Sequence, residues 1–361
     1  MEFNFVFLKL SEWLRKNGLS SCSDICSIND NIFKNGKEVH ILKTYKILQC
    51  TSLNLSLSEC LDKKAINIMH RDDYDAEMTK EHFIVCSRAD KEPAFSAQIE
   101  ILQNGLHANG KNRFFIPHWP QDGIIPRDPE RDKIEKLTFF GKKCHVFPEL
   151  KSERFKEFCR KYGLVFEINE QDWHDYSSTD VVIAVRDGFP FYLDSKPAHK
   201  LLNSWIAGVP AILNPEYGYI EAIAGENEVI FVNSIHDVMV RIKGLIDSPD
   251  LYNKIVNNGN RRAKEFSFDR IASEWELLLK KIETSHYPKW QAMSKLRKAA
   301  GFTCSEFRQK IWGIQVTQYP NNLLRNSKSY IRIFFSAPIL CIRQLFFSFQ
   351  YRFRKKSVFK K

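Results

Sequence analysis

The sequence predicts an α/β protein built as two doubly wound units joined by a proline-rich connector and followed by a basic, aromatic tail. Three observations carry this. Residues 180–221 read in succession as a buried strand, a lysine-bearing helix, a glycine turn and a second buried strand. Pro117, Pro120, Pro126 and Pro129 fall within one short span, IPHWPQDGIIPRDP, which suits neither a helix interior nor a central strand. The chain carries 54 Lys and Arg against 43 Asp and Glu, yet 16 of those bases lie in 287–361 beside the single acid Glu306. The body is therefore mildly acidic and the tail strongly basic.

Taken in order, 1–115 form the first unit, with apolar runs at 3–10, 65–69 and 82–86. The connector is 116–133. The second unit, 134–286, is regular: a strand at 137–140, a helix at 150–162, a strand at 164–168, and a continuous apolar strand at 181–185, as expected where both faces are covered. That strand ends at Arg186, where polar chemistry begins. Lys196 and Pro197 open a helix with Leu201, Leu202, Trp205 and Ile206 at helical spacing, and Gly208 closes it before a strand at 209–213. A short helix after Tyr219, a strand at 229–232 and helices at 235–246, 249–265 and 269–282 complete the doubly wound pattern. Amides at a helix start attract anions, and Lys196 and Lys200 lie in the first turns of this one. The same residues also suit a βαβ unit whose lysines face solvent.

Nine scattered cysteines without a CxxC pair point to reduced thiols, with Cys22 and Cys26 as packing residues. Glu2 and Lys9 bracket the apolar start and no small-residue cleavage site follows, so a cytoplasmic chain is expected. The 287–361 tail interleaves aromatic and aliphatic residues with its charge, which suits the headgroup layer of an anionic membrane. As a helix it would set Arg325, Lys328, Arg332, Arg343 and Arg354 on one side, split at Pro338. Arg332, Arg343 and Pro338 oppose a spanning helix. Nucleic-acid arms carry fewer large aliphatic residues, so no nucleic acid is expected.

Three segments carry a family resemblance: LTFFGKK at 137–143, KPAHKLLNSWIAGVPAIL at 196–213, and RRAKEFSFDRIASEWELLL at 261–279. Together with the connector they resemble the donor-binding half of glycosyltransferases with the B-type (GT-B) fold, two Rossmann-like domains facing a cleft. They are similar in particular to bacterial hexosyltransferases of surface polysaccharide assembly. The resemblance implies transfer of a hexose from a nucleotide sugar to a glycan or lipid-linked acceptor, without a metal cofactor, by a protein held at the inner face of the membrane.

Carried over by position, the resemblance places Gly141, Lys142 and Lys143 beside the donor phosphates, where a glycine lets backbone approach. Lys200 matches the basic partner of the diphosphate better than Lys196. Two glutamates of many retaining members are replaced by Ser195 and Asn203. Asn203 retains hydrogen-bonding capacity toward a ribose, and Glu216 or Glu221 stands as a substitute carboxylate. Arg186 completes the donor set. An inverting reaction needs a base from the first unit, with His70 or Asp72 the candidates, and His118 and Trp119 are placed on the acceptor side. Two other readings use the same chain: a metal-dependent transferase with Asp73-Tyr74-Asp75 as its DxD motif, and a non-catalytic peripheral membrane protein with a degenerate nucleotide-sugar site.

Overall fold

The structure, a computed structural model, describes residues 1–186, 193 and 195–322. Two all-parallel sheets account for its strands. The first contains β1 (Glu2–Val6), β2 (Asn54–Ser58), β3 (Ile66–His70), β4 (Phe83–Ala89), β5 (Ile99–Leu102) and β6 (Arg113–Phe115) in the order β2-β1-β3-β4-β5-β6. The second contains β7 (Lys136–Phe140), β8 (Val165–Asn169), β9 (Val181–Ala184), β10 (Ala211–Leu213) and β11 (Ile230–Phe231) in the order β11-β10-β9-β7-β8. Each is Rossmann-like. In such sheets the order reverses beside the first strand, and the crevice at the carboxyl ends there is where ligands bind. The two switch points are β1/β3 and β7/β9.

Alternation along the strands builds the first core. Phe3 and Phe5 on β1 share one face with Ile66, Ile68, Phe83, Val85, Ile99 and Ile101. The opposite face is partly polar: the Asn4 amide nitrogen donates to Asn67 Oδ1 at 3.1 Å, and Asn67 donates on to the Asp62 carbonyl. After β1 come α1 (Leu10–Lys16) and α2, a helical run over 36–48 whose middle, Val39–Lys43, is a π turn. In the second unit, α3 (Glu153–Lys161), α4 (His199–Ala207), α5 (Tyr217–Ala222), α6 (Ile235–Asp247) and α7 (Pro249–Ala263) cover both faces of the sheet. The sequence-predicted elements of this half match these to within a few residues. One offset matters: α4 begins at His199, so Lys196 and Pro197 lie before it.

Helix α8 (Phe268–Lys281) corrects the sequence-based division. Its Ile271, Trp275, Leu278 and Leu279 belong to the core of the first sheet, although their segment was assigned to the second domain. The same holds for α9 (Tyr287–Gln291), assigned to the tail. Tyr287 and Trp290 pack edge-on against Phe83 at 5.3 and 5.6 Å, and the Tyr287 hydroxyl donates to the Lys64 carbonyl. Apolar residues at helical spacing forecast α8 but not the sheet it covers, and α9 was not forecast. Helix α10 (Lys295–Asn322) follows. Arg325, Lys328, Arg332, Pro338, Arg343 and Arg354 of the tail lie outside the described residues. No described helix is long and apolar enough to cross a membrane. Cys22 is half-buried with its thiol toward the Leu57 carbonyl, whereas Cys26 is exposed and does not pack as expected.

The connector is bound at both ends. Trp119 Nε1 donates to Thr44 Oγ1 at 2.8 Å and its ring stacks on Phe268; Lys43, fully buried, pairs with Asp122. Further on, Arg127 and Arg131 converge on Asp180, whose side chain has no solvent exposure. Arg127 Nε and Arg131 Nε each donate to Oδ1 at 2.9 Å, and Oδ2 accepts from Arg131 Nη2 and from the Glu135 and Lys136 amides at 2.7 to 2.9 Å. Burial alone would raise this carboxyl, but the hydrogen bonds from Arg131, the two amides and Arg127 outweigh it and hold it below the ordinary range. A group depressed in this way contributes stability above its unfolded pKa and loses it as pH falls. Asp180→Ala strands two cations and two amides, so a loss of about 3–5 kcal/mol is expected in urea unfolding. A midpoint like that of the unsubstituted protein would refute the clamp.

Candidate functional site

At the β7/β9 switch point the chain brings together groups from four elements. Strand β7 ends in Phe140 and Gly141, the latter at φ +144°, a conformation L side chains rarely adopt. A Cβ there would meet Lys200 Nζ at 2.8 Å. Lys200, the second residue of α4, donates through Nζ to the Phe140 carbonyl and lies 4.6 Å from the centre of the Phe139 ring. Burial pushes its ammonium down to about 7, and the positive charge of Arg186 adds to this against the opposing pull of Glu216.

Arg186, just past β9, forms a two-pronged pair with Glu216 at the start of α5: Nε donates to Oε1 at 2.8 Å and Nη2 to Oε2, while Nη2 also donates to the Tyr219 hydroxyl. Burial pushes the Glu216 carboxyl up against the pull of Arg186. The turn after β7 meets this pair, since Val146 bridges to Arg186. His145 in the turn is held below its ordinary value by burial and by the charges of Arg186, Lys196, Lys142 and Lys200. That one imidazole thus registers four cations around the switch point. Lys142 and Lys143 are exposed beside them, and the Lys143 amide donates to Glu170.

Two donor-side candidates are employed elsewhere. Lys196 Nζ pairs with Asp90 of the first domain at 2.5 Å, and its carbonyl accepts from the Asn104 amide group. Asn203 is buried, its amide nitrogen given to Gln121 of the connector and its Oδ1 without a partner among the described residues. Ser195 lies in the loop before α4. Glu221 accepts the Gly105 amide across the seam between the domains at 2.8 Å. The segment 187–192 and Asp194, which lead into this loop, are outside the described residues.

On the facing domain His70 closes β3 at the other switch point. It is 1% exposed, and its Nδ1 accepts the Asp72 amide at 3.1 Å. The neutral ring then carries its hydrogen on Nε2, which has no partner among the described residues, so in this arrangement His70 donates and does not take up a proton there. Asp72 is 45% exposed and pairs with Lys91 at 3.0 Å. His118 has the opposite arrangement: Nδ1 lies 2.7 Å from the Trp119 carbonyl and must donate to it, leaving the lone pair on Nε2. Trp119 is buried and anchors the connector instead of lining an open acceptor face. The DxD carboxylates are also committed, Asp73 to Lys37 at 2.6 Å and the Leu8 amide, Asp75 to the Glu77 amide as a cap. Among the described residues no cluster of three or more His, Cys, Asp or Glu is arranged to hold a metal.

Sequence reading missed a row of imidazoles. His70 lies 5.9 Å from His40, His40 lies 5.1 Å from His118, and His118 lies 4.4 Å from His199 at the start of α4, between ring centroids. The row joins the two domains. The π turn in α2 holds His40, where Ser87 Oγ meets its Nδ1. The lysines flanking His199 were the only hint of that residue. A water-sized void of about 10 Å³ touches His40 and His118, and a larger cleft of about 300 Å³ is also lined by His118.

No family model and no curated protein matches this chain. Solved structures similar to it include the GtfA/B complex (13% identity, 67% of this chain and 60% of that chain, TM-score 0.45). Others are Anabaena Alr3699/HepE in complex with UDP (9%, 78% and 99%, 0.46) and the pneumococcal O-GlcNAc transferase GtfA in complex with UDP and GlcNAc (12%, 68% and 60%, 0.44). This chain thus spans 60% of the length of the first and third. At these identities and TM-scores the likeness carries no assignment, and the site described above stands on its own geometry.

The imidazole row sets a pH dependence. His40 and His199 are held well below 6.5 by burial first and then by His118; His118 is lowered by burial, and His70 by burial against the pull of Asp72. Below 6.5 the unfolded chain binds protons that the folded chain does not, so stability is complete above that pH and is lost as pH falls. The urea midpoint is expected to drop between pH 7.5 and 5.5, and less steeply in His199→Gln. Equal slopes in both proteins would contradict an imidazole origin.

Proposed function

We propose that this chain is a glycosyltransferase of the B-type fold that moves a hexose from a nucleotide-sugar donor to a glycan or lipid-linked acceptor without a metal cofactor. The observation that carries the reading is the convergence of Gly141, Lys200 and Arg186 on the β7/β9 switch point, where backbone without a side chain meets a buried ammonium. Such a site suits a diphosphate: Gly141 admits it, and Lys200 neutralises the charge that grows as the glycosidic bond to it breaks. Lys200 contacts the Phe140 carbonyl and the Phe139 ring, both of which a phosphate oxygen could replace. The arginine is held by Glu216 and shapes the field without leaving its partner.

In this reading the acceptor hydroxyl oxygen attacks the anomeric carbon and passes its proton to His118 Nε2. The bond between the anomeric carbon and the diphosphate oxygen breaks, and its electron pair leaves on the diphosphate beside Lys200. The base is His118 and not His70 because the hydrogen-bond pattern leaves a lone pair only on His118. His70 Nε2–H supplies a donor at the first domain's switch point. We place the protein in surface polysaccharide or glycolipid assembly, at the inner membrane face. Supporting this, Phe307 and Ile314 of α10 are both strongly exposed and, seven residues apart, lie on one side of that helix. Lys295, Arg297, Lys298, Arg308 and Lys310 accompany them.

Three outcomes follow. A diphosphate beside Lys200 raises its pKa from about 7, so nucleoside diphosphate binding at pH 7.5 takes up a fraction of a proton. Calorimetry then gives different enthalpies in Tris and HEPES, a difference that Lys200→Met removes; identical enthalpies in the unsubstituted protein would sink the assignment. In turnover, Lys200→Met is expected to lower kcat by about 10²–10³, and His118→Gln to cost more than His70→Gln. The reverse ranking would return the base to His70. Finally, replacing Phe307 and Ile314 together by serine is expected to weaken sedimentation with anionic vesicles at least tenfold, and undiminished binding would remove α10 from the membrane contact.

A further inference from the structure

A second set of cations lies in the first domain, on the side of its sheet away from the main core. Ile99, Ile101 and Phe114 turn toward that core, so Glu100 and Arg113, which alternate with them, face the other way. Register sets Cys86, Glu100 and Arg113 side by side across β4, β5 and β6. Arg88 joins them through an irregularity. Ser87 pairs with Ile101 and Ala89 with Leu102, so Arg88 is an extra residue of β4, a bulge in a parallel pair, where bulges are rare. Ala89 follows at φ +52°, a left-handed conformation uncommon for any residue with a side chain. Strained backbone of this kind gathers at binding and catalytic sites.

The arginines brought together here are not satisfied by their neighbours. Arg88 is 6% exposed, and among the described residues its guanidinium donates one hydrogen bond, from Nε to the Lys91 carbonyl at 2.6 Å. Arg113 is half-buried, its guanidinium donates none among those residues, and its Nε comes only to 4.0 Å from Glu100 Oε2. The other oxygen of Glu100, a fully buried residue, accepts the Ala94 amide at 2.7 Å. Arg71 is matched already, by the Glu92 carboxylate at 3.0 Å and the Glu92 carbonyl at 3.2 Å. Two guanidiniums are thus left with one carboxylate that neither grips. At Asp180 the same charges meet in bonds of 2.7 to 2.9 Å, the geometry of a closed clamp. His107, in the loop between β5 and β6, makes no hydrogen bond through its ring among the described residues. Burial first, then the charges of Arg88 and Arg113, lower it to about 4. Burial lowers Arg88 as well, with Arg113 and Arg71 adding to this against the pull of Glu100. His145 registers the cations of the β7/β9 switch point and His107 registers this pair, so the two clusters are distinct.

We propose that Arg88, Arg113 and His107 form an oxyanion site on the first domain that takes a phosphate group, either free or as a monoester. A buried guanidinium with its forked Nη donors unengaged is costly, and a ligand with several acceptor oxygens relieves that cost at both arginines together. The donors come from three segments: the β4 bulge, the start of β6 and the β5–β6 loop. That spread suits a tetrahedral ligand better than a planar carboxylate. Two positive charges stand against the single charge of Glu100, so an anion completes the balance. The site makes no use of the transferase reading and stands whether or not the β7/β9 switch point binds a nucleotide.

The test is thermal unfolding of the full chain at constant ionic strength, with inorganic phosphate, glycerol 3-phosphate or acetate replacing chloride. A ligand held only by the folded protein raises the midpoint by mass action. Phosphate is expected to give a saturable rise in the unsubstituted protein and in Lys200→Met, with an apparent affinity at least about tenfold weaker in Arg88→Met and in Arg113→Gln. Arg113 is half-buried, so Arg113→Gln carries the test if Arg88→Met folds poorly. A purely structural cluster would instead lower the midpoint of both variants and leave their phosphate response unchanged. A rise with glycerol 3-phosphate as well assigns the site to phosphorylated molecules, and a rise with phosphate alone assigns it to the free ion. No rise above chloride, an equal rise with acetate, a response unchanged in Arg113→Gln, or one lost in Lys200→Met would each overturn the proposal.

Discussion

The second domain is set by the seating of one carboxylate. Asp180, just before β9, accepts the amide of Lys136, the first residue of β7, and that of Glu135, and it draws Arg127 and Arg131 of the connector onto the same two oxygens. It fixes the lower ends of β7 and β9 against each other and ties the connector to them. The opposite ends of those two strands carry Gly141 and Arg186. In a parallel pair the register at one end determines which residues emerge together at the other, so the geometry of the cation cluster follows from a salt bridge at the far edge of the sheet. Without the arginines the buried carboxylate would be a liability, and without the carboxylate the connector would hold two cations beside a sheet edge.

Much of this was legible in the residues. The apolar run of β9, the spacing of Leu201, Leu202 and Trp205, and the glycine after α4 gave the strand, helix and turn with their order, because burial on both faces of a parallel strand and helical periodicity leave plain patterns. Gly141 and Lys200 were singled out, and they do meet. Position in sequence did not say where Lys196 would turn: it lies outside α4 and crosses to Asp90, a partner more than a hundred residues away. Nor could periodicity tell which core α8 and α9 would join, since an apolar stripe specifies that a face is covered but not by what. The imidazole row was invisible for a similar reason. His40 faces inward because of a π turn, and its neighbours come from β3, the connector and α4.

The charges of the site divide into committed and uncommitted groups. Arg186 and Glu216 satisfy each other, Lys196 and Asp90 span the domains, and Asp73 with Lys37 holds the end of β1 near that of β3. Lys200 differs. Its contacts are a carbonyl and an aromatic ring, both weak substitutes for an anion, and its lowered pKa reports that deficit. Among the described residues no carboxylate pairs with it, and a buried ammonium so placed at a topological switch point is poised for an anionic ligand. Across the seam, neutral imidazoles meet edge-on or tilted where charged rings would repel those lysines and one another.

The central claim is that the β7/β9 switch point takes a nucleotide diphosphate. The most direct measurement is a crystal structure of the full chain grown with whichever of UDP, GDP, ADP or CMP binds best. The account predicts phosphate density against the Gly141 backbone, with Lys200 Nζ moved from the Phe140 carbonyl onto a phosphate oxygen. Nucleotide density elsewhere, with Lys200 still on that carbonyl, would contradict it.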